Sequence, residues 1–180
     1  MKPGIQVGIF SDTHGWLDPR LKIEFADCQA VWHAGDIGDV SVCKPWSGLP
    51  DFRAVYGNID GDAVRRLYPE YQAFDIEGFR VLMLHIAGKH PRLTARCREL
   101  VNRYRPGMLV CGHSHICRVV KEGGLLYVNP GAAGKHGFHL MRTALKIRFQ
   151  DGKPTELRVL ELGPRVSSDG CGEKEEATGL

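Results

Sequence analysis

Six short, largely apolar segments constrain the fold of this chain more than any other feature. Each is followed within two residues by glycine or a polar side chain: Ile5–Phe10, Ala30–His33, Phe52–Tyr56, Arg80–Leu84, Met108–Cys111 and Leu125–Val128. Nearly continuous apolar runs of this length are typical of strands covered on both faces. The pattern therefore predicts buried strands that feed polar loops at their carboxyl ends.

Helical patterns alternate with these strands. The clearest covers Pro91–Tyr104, where apolar residues recur at helical spacing and Pro91 suits a first-turn position. Weaker patterns cover Leu17–Cys28 and Gly61–Leu67. Strands that alternate with helices predict an α/β fold with substantial sheet content.

The chain closes with a predicted hairpin. Thr143–Phe149 and Thr155–Leu160 flank a turn sequence, and the alternation of apolar residues with Lys146 and Arg148 predicts one solvent-facing side. From residue 163 onward the chain is poor in apolar residues. We therefore expect one domain over residues 1–162 and a mobile C-terminal tail over residues 163–180.

Composition narrows the functional classes. The chain has 180 residues with 24 basic and 21 acidic side chains, a net charge of +3, which singles out neither nucleic acid nor a membrane as partner. No apolar run approaches the roughly 20 residues of a membrane span, and the first residues do not resemble a signal peptide. The six cysteines form no C-x-x-C pair, so we expect reduced thiols in a cytoplasmic protein.

Seven potential metal ligands follow the predicted strands. Each alone has an ordinary reading as a helix cap, a turn residue or a buried histidine, but the seven fall in order at five strand ends. They are Asp12, His14, Asp36, Asn58, His85, His113 and His115. In open α/β sheets ligands bind at the carboxyl ends of strands, so the seven are predicted to meet at one edge.

The types of donor atom limit which metal ions and which substrates the site would suit. Four imidazoles with only two carboxylates disfavour calcium and magnesium, which prefer oxygen ligands. They suit two divalent transition-metal ions, with manganese the first expectation and iron, zinc, nickel and cobalt left open. Two such ions, two aspartates and a bridging hydroxide carry a net charge of about +1, which attracts an anionic ester. Paired metals that activate water are suited to phosphoester hydrolysis.

At these residues the sequence resembles the calcineurin-like metallophosphoesterases, in particular their small single-domain prokaryotic phosphodiesterases. The matching segments are Ser-Asp-Thr-His-Gly, Gly-Asp-Ile-Gly-Asp, Gly-Asn-Ile-Asp, Leu-His, Gly-His-Ser-His and Asn-Pro-Gly, between residues 11 and 131. The resemblance implies a four-layer α/β/β/α sandwich of two mixed sheets.

The resemblance also implies a role for each ligand. One ion would be held by Asp12, His14 and His115, and the other by Asn58, His85 and His113, while Asp36 would bridge the two. Of these residues, Asp36, Asn58 and His85 are predicted to be catalytic as well as ligating. The segment from Asn129 to Gly131 would form a structural loop beside the site.

Two departures from the family pattern affect the chemistry. Larger relatives carry a histidine after the metal-binding Asn, whereas Ile59 stands here and cannot donate a proton to the leaving group. The usual His-Gly is replaced by His85-Ile86-Ala87-Gly88, which leaves His90 as a substitute that we expect at most to face substrate. We predict second-sphere support of Asp36 by His33, and possible phosphate contacts for His136 remain open.

The expected partner is a small phosphodiester or monoester. A homo-oligomer stays open, and no membrane or nucleic-acid partner is expected. Two rival functions are a protein-binding scaffold on the same fold and a nuclease. A scaffold would be expected to lose ligands, whereas all seven are present. The modest charge and the lack of a basic, aromatic stripe disfavour a nuclease.

Overall fold

The computed structural model describes residues 4–165. The strands, in chain order, are β1 (Ile5–Phe10), β2 (Ala30–His33), β3 (Asp51–Ala54), β4 (Tyr71–Ile76), β5 (Phe79–Leu84), β6 (Gly88–Lys89), β7 (Arg92–Leu93), β8 (Met108–Val110), β9 (Cys117–Glu122), β10 (Leu125–Pro130), β11 (Met141–Gln150) and β12 (Lys153–Pro164). The helices are α1 (Pro19–Glu24), α2 (Asp62–Arg65) and α3 (Ala95–Tyr104), and a 3-10 helix covers Val40–Trp46.

Ten of these strands form two mixed five-stranded sheets. The first has the order β12-β11-β1-β2-β3 and the second the order β4-β5-β8-β10-β9. In the first sheet β1, β2 and β3 are parallel, and in the second β5, β8 and β10 are parallel. The carboxyl ends of these parallel strands carry every loop that holds a predicted ligand.

The main core lies between the two sheets. Trp32 of β2 packs edge-on against Phe74 of β4, with ring centroids 4.9 Å apart. Val7 and Ile147 of the first sheet share this core with Met83 of the second, and all three are fully buried. Burial of this apolar surface from both sheets is the main force that holds the sandwich together.

Helices cover the two outer faces. Leu21 of α1 and Trp46 of the 3-10 helix pack on the first sheet in a cluster around Phe10. Cys97 and Leu100 of α3 pack on the outer face of the second sheet. The result is the predicted four-layer α/β/β/α arrangement.

Two local predictions need correction. The third helix begins at Ala95 with Thr94 as its N-cap, because Arg92–Leu93 pair as a strand with Gly88–Lys89, so Pro91 lies outside the helix. The helices predicted over Leu17–Cys28 and Gly61–Leu67 are shorter, as α1 and α2.

The closing hairpin is present, but of the two basic residues predicted to face solvent on β11 only Arg148 is exposed. Lys146, predicted to face solvent, is only 9% exposed, and its Nζ lies 2.5 Å from Asp27 Oδ1. Ala144 explains the difference, because it packs on the outer face with the α1 cluster, which covers that side of the strand. Strand β12 runs to Pro164, two residues beyond the predicted domain end. Residues 166–180, where most of the predicted tail falls, lie outside the described residues.

Within residues 4–165, no helix is long and apolar enough to cross a membrane. Five cysteines there are free thiols: Cys28, Cys43, Cys97, Cys111 and Cys117. Burial raises the pKa of the Cys111 thiol to about 12, so it stays protonated at neutral pH. Cys171 lies outside the described residues.

Candidate metal centre

Two groups of ligand-type side chains meet at the carboxyl edge of the parallel strands. In one group the donor atoms of Asp12, His14 and His115 all lie within 4.8 Å of one another. In the second, the donor atoms of Asp36, His85 and His113 meet the same limit. Six of the seven predicted ligands are therefore gathered as two neighbouring triads.

Asp36 lies between the two groups. Its Oδ1 is 3.2 Å from Nε2 of His85, and its Oδ2 is 3.9 Å from Nε2 of His14. The carboxylate thus directs one oxygen to each group, as a bridging ligand would. Asp12 Oδ1 lies 3.2 Å from His115 Nε2, inside its own triad.

The donor atoms of His85 fit a metal ion. Its Nδ1 lies 2.8 Å from the carbonyl oxygen of Ala34, which fixes the ring and makes Nδ1 the protonated nitrogen. Its Nε2 is buried and has no aligned hydrogen-bond partner, despite the close contact with Asp36. A metal-binding histidine commonly anchors one nitrogen on a carbonyl and directs the other to the ion. A divalent ion would satisfy this otherwise unpaired nitrogen.

The backbone at the site is strained. Five of the seven predicted ligands have positive φ angles between 48° and 68°: Asp12, His14, Asp36, His113 and His115. This left-handed region is uncommon for residues other than glycine and costs energy. The chain direction therefore changes sharply at these candidate ligands.

Close backbone approach at the site requires glycine. A Cβ on Gly57 would lie 2.0 Å from Asp36 Oδ1, and one on Gly112 would lie 2.8 Å from Asp12 Oδ2. A Cβ on Gly35 would lie 2.6 Å from Nδ1 of the His85 ring. The glycines beside the ligands thus leave the space that the ligand side chains occupy.

Asp60 ties two of the ligand loops together. It is 3% exposed, and its carboxylate accepts hydrogen bonds from the backbone N–H groups of Ile37 (3.1 Å), Gly38 (2.7 Å) and Gly57 (2.7 Å). The first two follow Asp36, and the third precedes Asn58. Asp60 therefore sets the spacing of these two loops.

His33 joins the loops that follow β1 and β2. Its Nδ1 accepts a hydrogen bond from the Gly35 N–H at 3.1 Å, so Nε2 carries the proton toward Thr13 Oγ1 at 2.9 Å. The Thr13 hydroxyl donates in turn to the Ile37 carbonyl at 3.0 Å. Complete burial lowers the pKa of His33 to about 3, which keeps the ring neutral. The structure shows His33 supporting the Asp36 loop through the backbone and not through the carboxylate.

Asn129 supports the loop that carries His113 and His115. Its side-chain amide donates to the Gly112 carbonyl at 2.7 Å and to Ser114 Oγ at 3.1 Å, and its oxygen accepts from the Gly131 N–H at 2.9 Å. This buried residue uses both ends of its amide for the backbone turn, as expected of a structural loop.

Burial and charge oppose each other on the titrating ligands. Burial lowers the pKa of His14, and the nearby carboxylates offset only part of this effect. Burial disfavours ionisation of Asp36, but its contact with His85 outweighs that penalty and holds the pKa of Asp36 below its usual value. Burial also opposes the charge on His85, yet the two aspartates raise its pKa. Asp36 is thus ionised at neutral pH, as a metal ligand must be.

Two cavities flank the second triad. One, of about 370 Å³, is lined by Asn58 and His85 together with Tyr56, Arg65 and Arg96. Asn58 is exposed there, beside the triad that it was predicted to complete. The other cavity, of about 250 Å³, adjoins His113 on a different wall. The second triad is thus accessible from solvent through both cavities.

His136, His90 and Ile59 lie near the two triads. The His136 ring lies 5.0 Å from the His14 ring. His90 lines the smaller cavity with its Nε2 3.2 Å from Glu122 Oε2. The side chain of Ile59 is 46% exposed, and its backbone N–H donates to Asp36 Oδ1 at 3.1 Å. Sequence reasoning missed this backbone contact because only the side chain is readable from a motif.

The sequence matches the model of the calcineurin-like phosphoesterase superfamily domain over residues 5–152. This chain belongs to the calcineurin-like phosphoesterase superfamily. The match covers every strand of the two sheets except β12, which begins at Lys153, and it includes every residue of the two triads. The predicted family is therefore confirmed, and with it the general class of a metal-binding phosphoester hydrolase.

Relatives and solved structures agree with this membership. A probable metallophosphoesterase of Methanothermobacter thermautotrophicus is 28% identical over 170 residues, which span 89% of this chain and 94% of the relative. An archaeal phosphodiesterase has a TM-score of 0.70 at 20% identity, with 87% of this chain and 99% of that chain covered. Vps29 of Chaetomium thermophilum has a TM-score of 0.70 at 15% identity, with 87% and 96% covered. These two structures support the fold of this calcineurin-like phosphoesterase.

Proposed function

We propose that the chain is a phosphodiesterase that uses two divalent transition-metal ions. Asp12, His14 and His115 would hold one ion, His85, His113 and Asn58 the other, and Asp36 both. The observation that carries the proposal is the placement of Asp36, with one carboxylate oxygen toward each triad. When bound, two such ions acidify water and polarise a phosphoryl group.

The donor chemistry favours manganese, iron, zinc, nickel or cobalt over magnesium. The two triads contain four imidazoles and two carboxylates, and imidazole is a good ligand for these transition metals. We propose manganese as the first ion to test. Asp36, Asn58 and His85 are the residues that we propose act most directly in turnover. Asn58 and His85 line the larger cavity, and Asp36 contacts His85 from within the site.

The diester preference is supported by the two cavities. A phosphodiester has two ester arms, and separate cavities adjoin His85 and His113 of the same triad. A phosphorus atom held at that triad can place one arm in each. The side chains that line the two cavities hold and orient the ester. Ile59 stands where larger relatives carry a proton-donating histidine, so we expect esters whose leaving group needs little protonation.

The test is hydrolysis of bis-p-nitrophenyl phosphate by metal-free protein reconstituted with Mn²⁺. We expect turnover that depends on the metal, and we expect Asp36→Asn to lower kcat by more than about 100-fold, with an unchanged circular dichroism spectrum. Full activity of Asp36→Asn would refute the bridging role.

The same assay distinguishes the rival functions. No turnover of aryl diesters or monoesters with any of the five metals would favour a protein-binding scaffold. Cleavage of polynucleotides in preference to small diesters would favour a nuclease. Elemental analysis of the protein as purified identifies the metal that it carries.

A further inference from the structure

The smaller cavity beside His113 has a cationic wall. Its lining includes Lys89, the last residue of β6, and Arg118, on β9, together with Ser114 and Tyr127. Lys89 is exposed and Arg118 is half-buried. Two positive side chains thus share a cavity of about 250 Å³ with a proposed metal ligand.

The charges of these two cations are not offset by a contact within the part of the chain that the structure describes. Among residues 4–165 the structure records no ion pair and no side-chain hydrogen bond for Lys89 or Arg118. The ion pair recorded for this cavity joins His90 to Glu122 and involves neither cation. A half-buried guanidinium presents five N–H donors in a rigid fork that matches carboxylate and phosphate oxygens.

The larger cavity differs in this respect, although it also contains two arginines. Arg65 donates to the carbonyl oxygens of Asp60 (2.6 Å) and Gly57 (3.2 Å), and its guanidinium lies 4.3 Å from the Tyr56 ring centroid. Arg96 pairs with Glu70 at 2.9 Å and with Glu99 at 3.0 Å. Both guanidinium groups are used within the protein, so this cavity offers an incoming group little free positive charge.

We infer that Lys89 and Arg118 bind a second anionic group of the substrate, so that the substrate is an asymmetric phosphodiester with one arm that bears a phosphate or carboxylate. This inference rests on the proposed phosphodiesterase function. The scissile phosphate lies at the triads, the charged arm enters the smaller cavity, and the uncharged arm enters the larger one. Arg118 acts as the specific contact, because it is the less solvated of the two cations.

A matched pair of chromogenic esters tests the inference. One is the p-nitrophenyl ester of thymidine 5′-phosphate, and the other is the same ester with a 3′-phosphate. The leaving group and the reacting phosphate are identical, so the ratio of the two kcat/KM values measures recognition of the second anion. We expect the Mn²⁺-loaded wild-type protein to prefer the 3′-phosphorylated ester by about tenfold or more, as a hydrogen bond between charged groups contributes a factor of this size.

Variants locate the effect. Arg118→Ala is expected to bring the ratio close to one, and Lys89→Ala to reduce it less. The matched control is Lys121→Ala, which removes a positive charge from the opposite face of β9. Lys121 lines a different cavity, away from the triads. This variant should keep the wild-type ratio of the two kcat/KM values. That result would exclude a general effect of net charge on the ratio. Arg118→Gln provides a second variant of similar size if the alanine protein does not fold.

The outcomes separate this inference from the proposed function. A wild-type ratio near one, or a ratio that survives in folded Arg118→Ala or Arg118→Gln, overturns the second-anion site while the phosphodiesterase stands. Failure of the wild-type protein to hydrolyse bis-p-nitrophenyl phosphate would instead refute the phosphodiesterase. A preference that Lys121→Ala also abolishes would show that bulk charge, and not this cavity, is responsible.

Discussion

Replacement of Asp60 should weaken both the fold and the site, because one buried carboxylate holds two ligand loops. Asp60→Ala removes the acceptor for the N–H groups of Ile37, Gly38 and Gly57. Each amide left without a partner costs about 1–3 kcal/mol, and water that enters the vacated space recovers part of it. We expect a loss of about 4 kcal/mol in the free energy of unfolding.

Asp60→Asn should cost less, at about 2 kcal/mol. Asparagine keeps one oxygen in place, for example the one that accepts from Ile37 and Gly57, but it turns an NH₂ group toward the Gly38 N–H. In a domain of this length each kcal/mol lowers the Tm by about 2–4 °C. Thermal and urea unfolding followed by circular dichroism should therefore order the proteins as wild type, asparagine variant and alanine variant.

The same variants should lose activity at temperatures where they remain folded. Supporting residues around a metal site commonly contribute on the order of 10–100-fold in affinity or activity. We expect weaker Mn²⁺ binding in Asp60→Asn by isothermal titration calorimetry. The control is Asp62→Asn, an exposed carboxylate at the start of α2, which should change stability by less than about 0.5 kcal/mol. The reasoning fails if the free energy of unfolding of Asp60→Ala lies within about 0.5 kcal/mol of the wild-type value.

Three further predictions concern the glycines, the metal and the thiols. Gly57→Ala should lower activity at least about tenfold, because its Cβ would overlap Asp36 Oδ1, whereas Gly61→Ala, with no atom nearby, should leave activity near wild type in the same esterase assay. Dialysis against a chelator should abolish hydrolysis, and Mn²⁺ should restore it; retained activity in protein shown to be metal-free would contradict the proposal. Burial raises the pKa values of Cys28 and Cys111 to about 12, so at pH 8 these thiols should react with Ellman's reagent only after unfolding, and rapid reaction of the native protein would argue against their burial.

The buried parallel strands were predictable because their sequences are short, apolar and sharply ended. The predicted bounds of β1 and β2 match the structure, and those of β5 and β8 differ by a single residue. Two edge strands were missed. Tyr71–Ile76 carries the polar residues Gln72, which is half-buried, and Asp75, which is exposed. In Cys117–Glu122 every residue is exposed or half-buried, so neither strand shows the apolar run that marks a buried strand.

The missed strand β9 explains why the cationic cavity could not be predicted. Arg118 is close to His113 in sequence, but only the antiparallel pairing of β9 with β10 places it in the lining of the same cavity as Lys89. The seven candidate ligands were readable from the sequence, since each follows a strand within five residues. Their division into two triads depends on how the two sheets pack. Only the resemblance to the calcineurin-like metallophosphoesterases made that packing predictable. The contacts of Asp60 and His33 depend on backbone groups of other loops and leave no pattern in the sequence.

The positive φ angles at five ligands connect stability with function. Each left-handed residue costs on the order of 1 kcal/mol or more, and together they would open the loops unless the surroundings held them. The structure places that support outside the ligands, in the amide contacts of Asp60, the neutral His33 pair with Thr13 and the Asn129 amide. The loops are thereby shaped by hydrogen bonds that do not involve the donor atoms. A site built in this way holds its donors close together before an ion arrives, so the binding energy of the metal is not consumed in folding the loops.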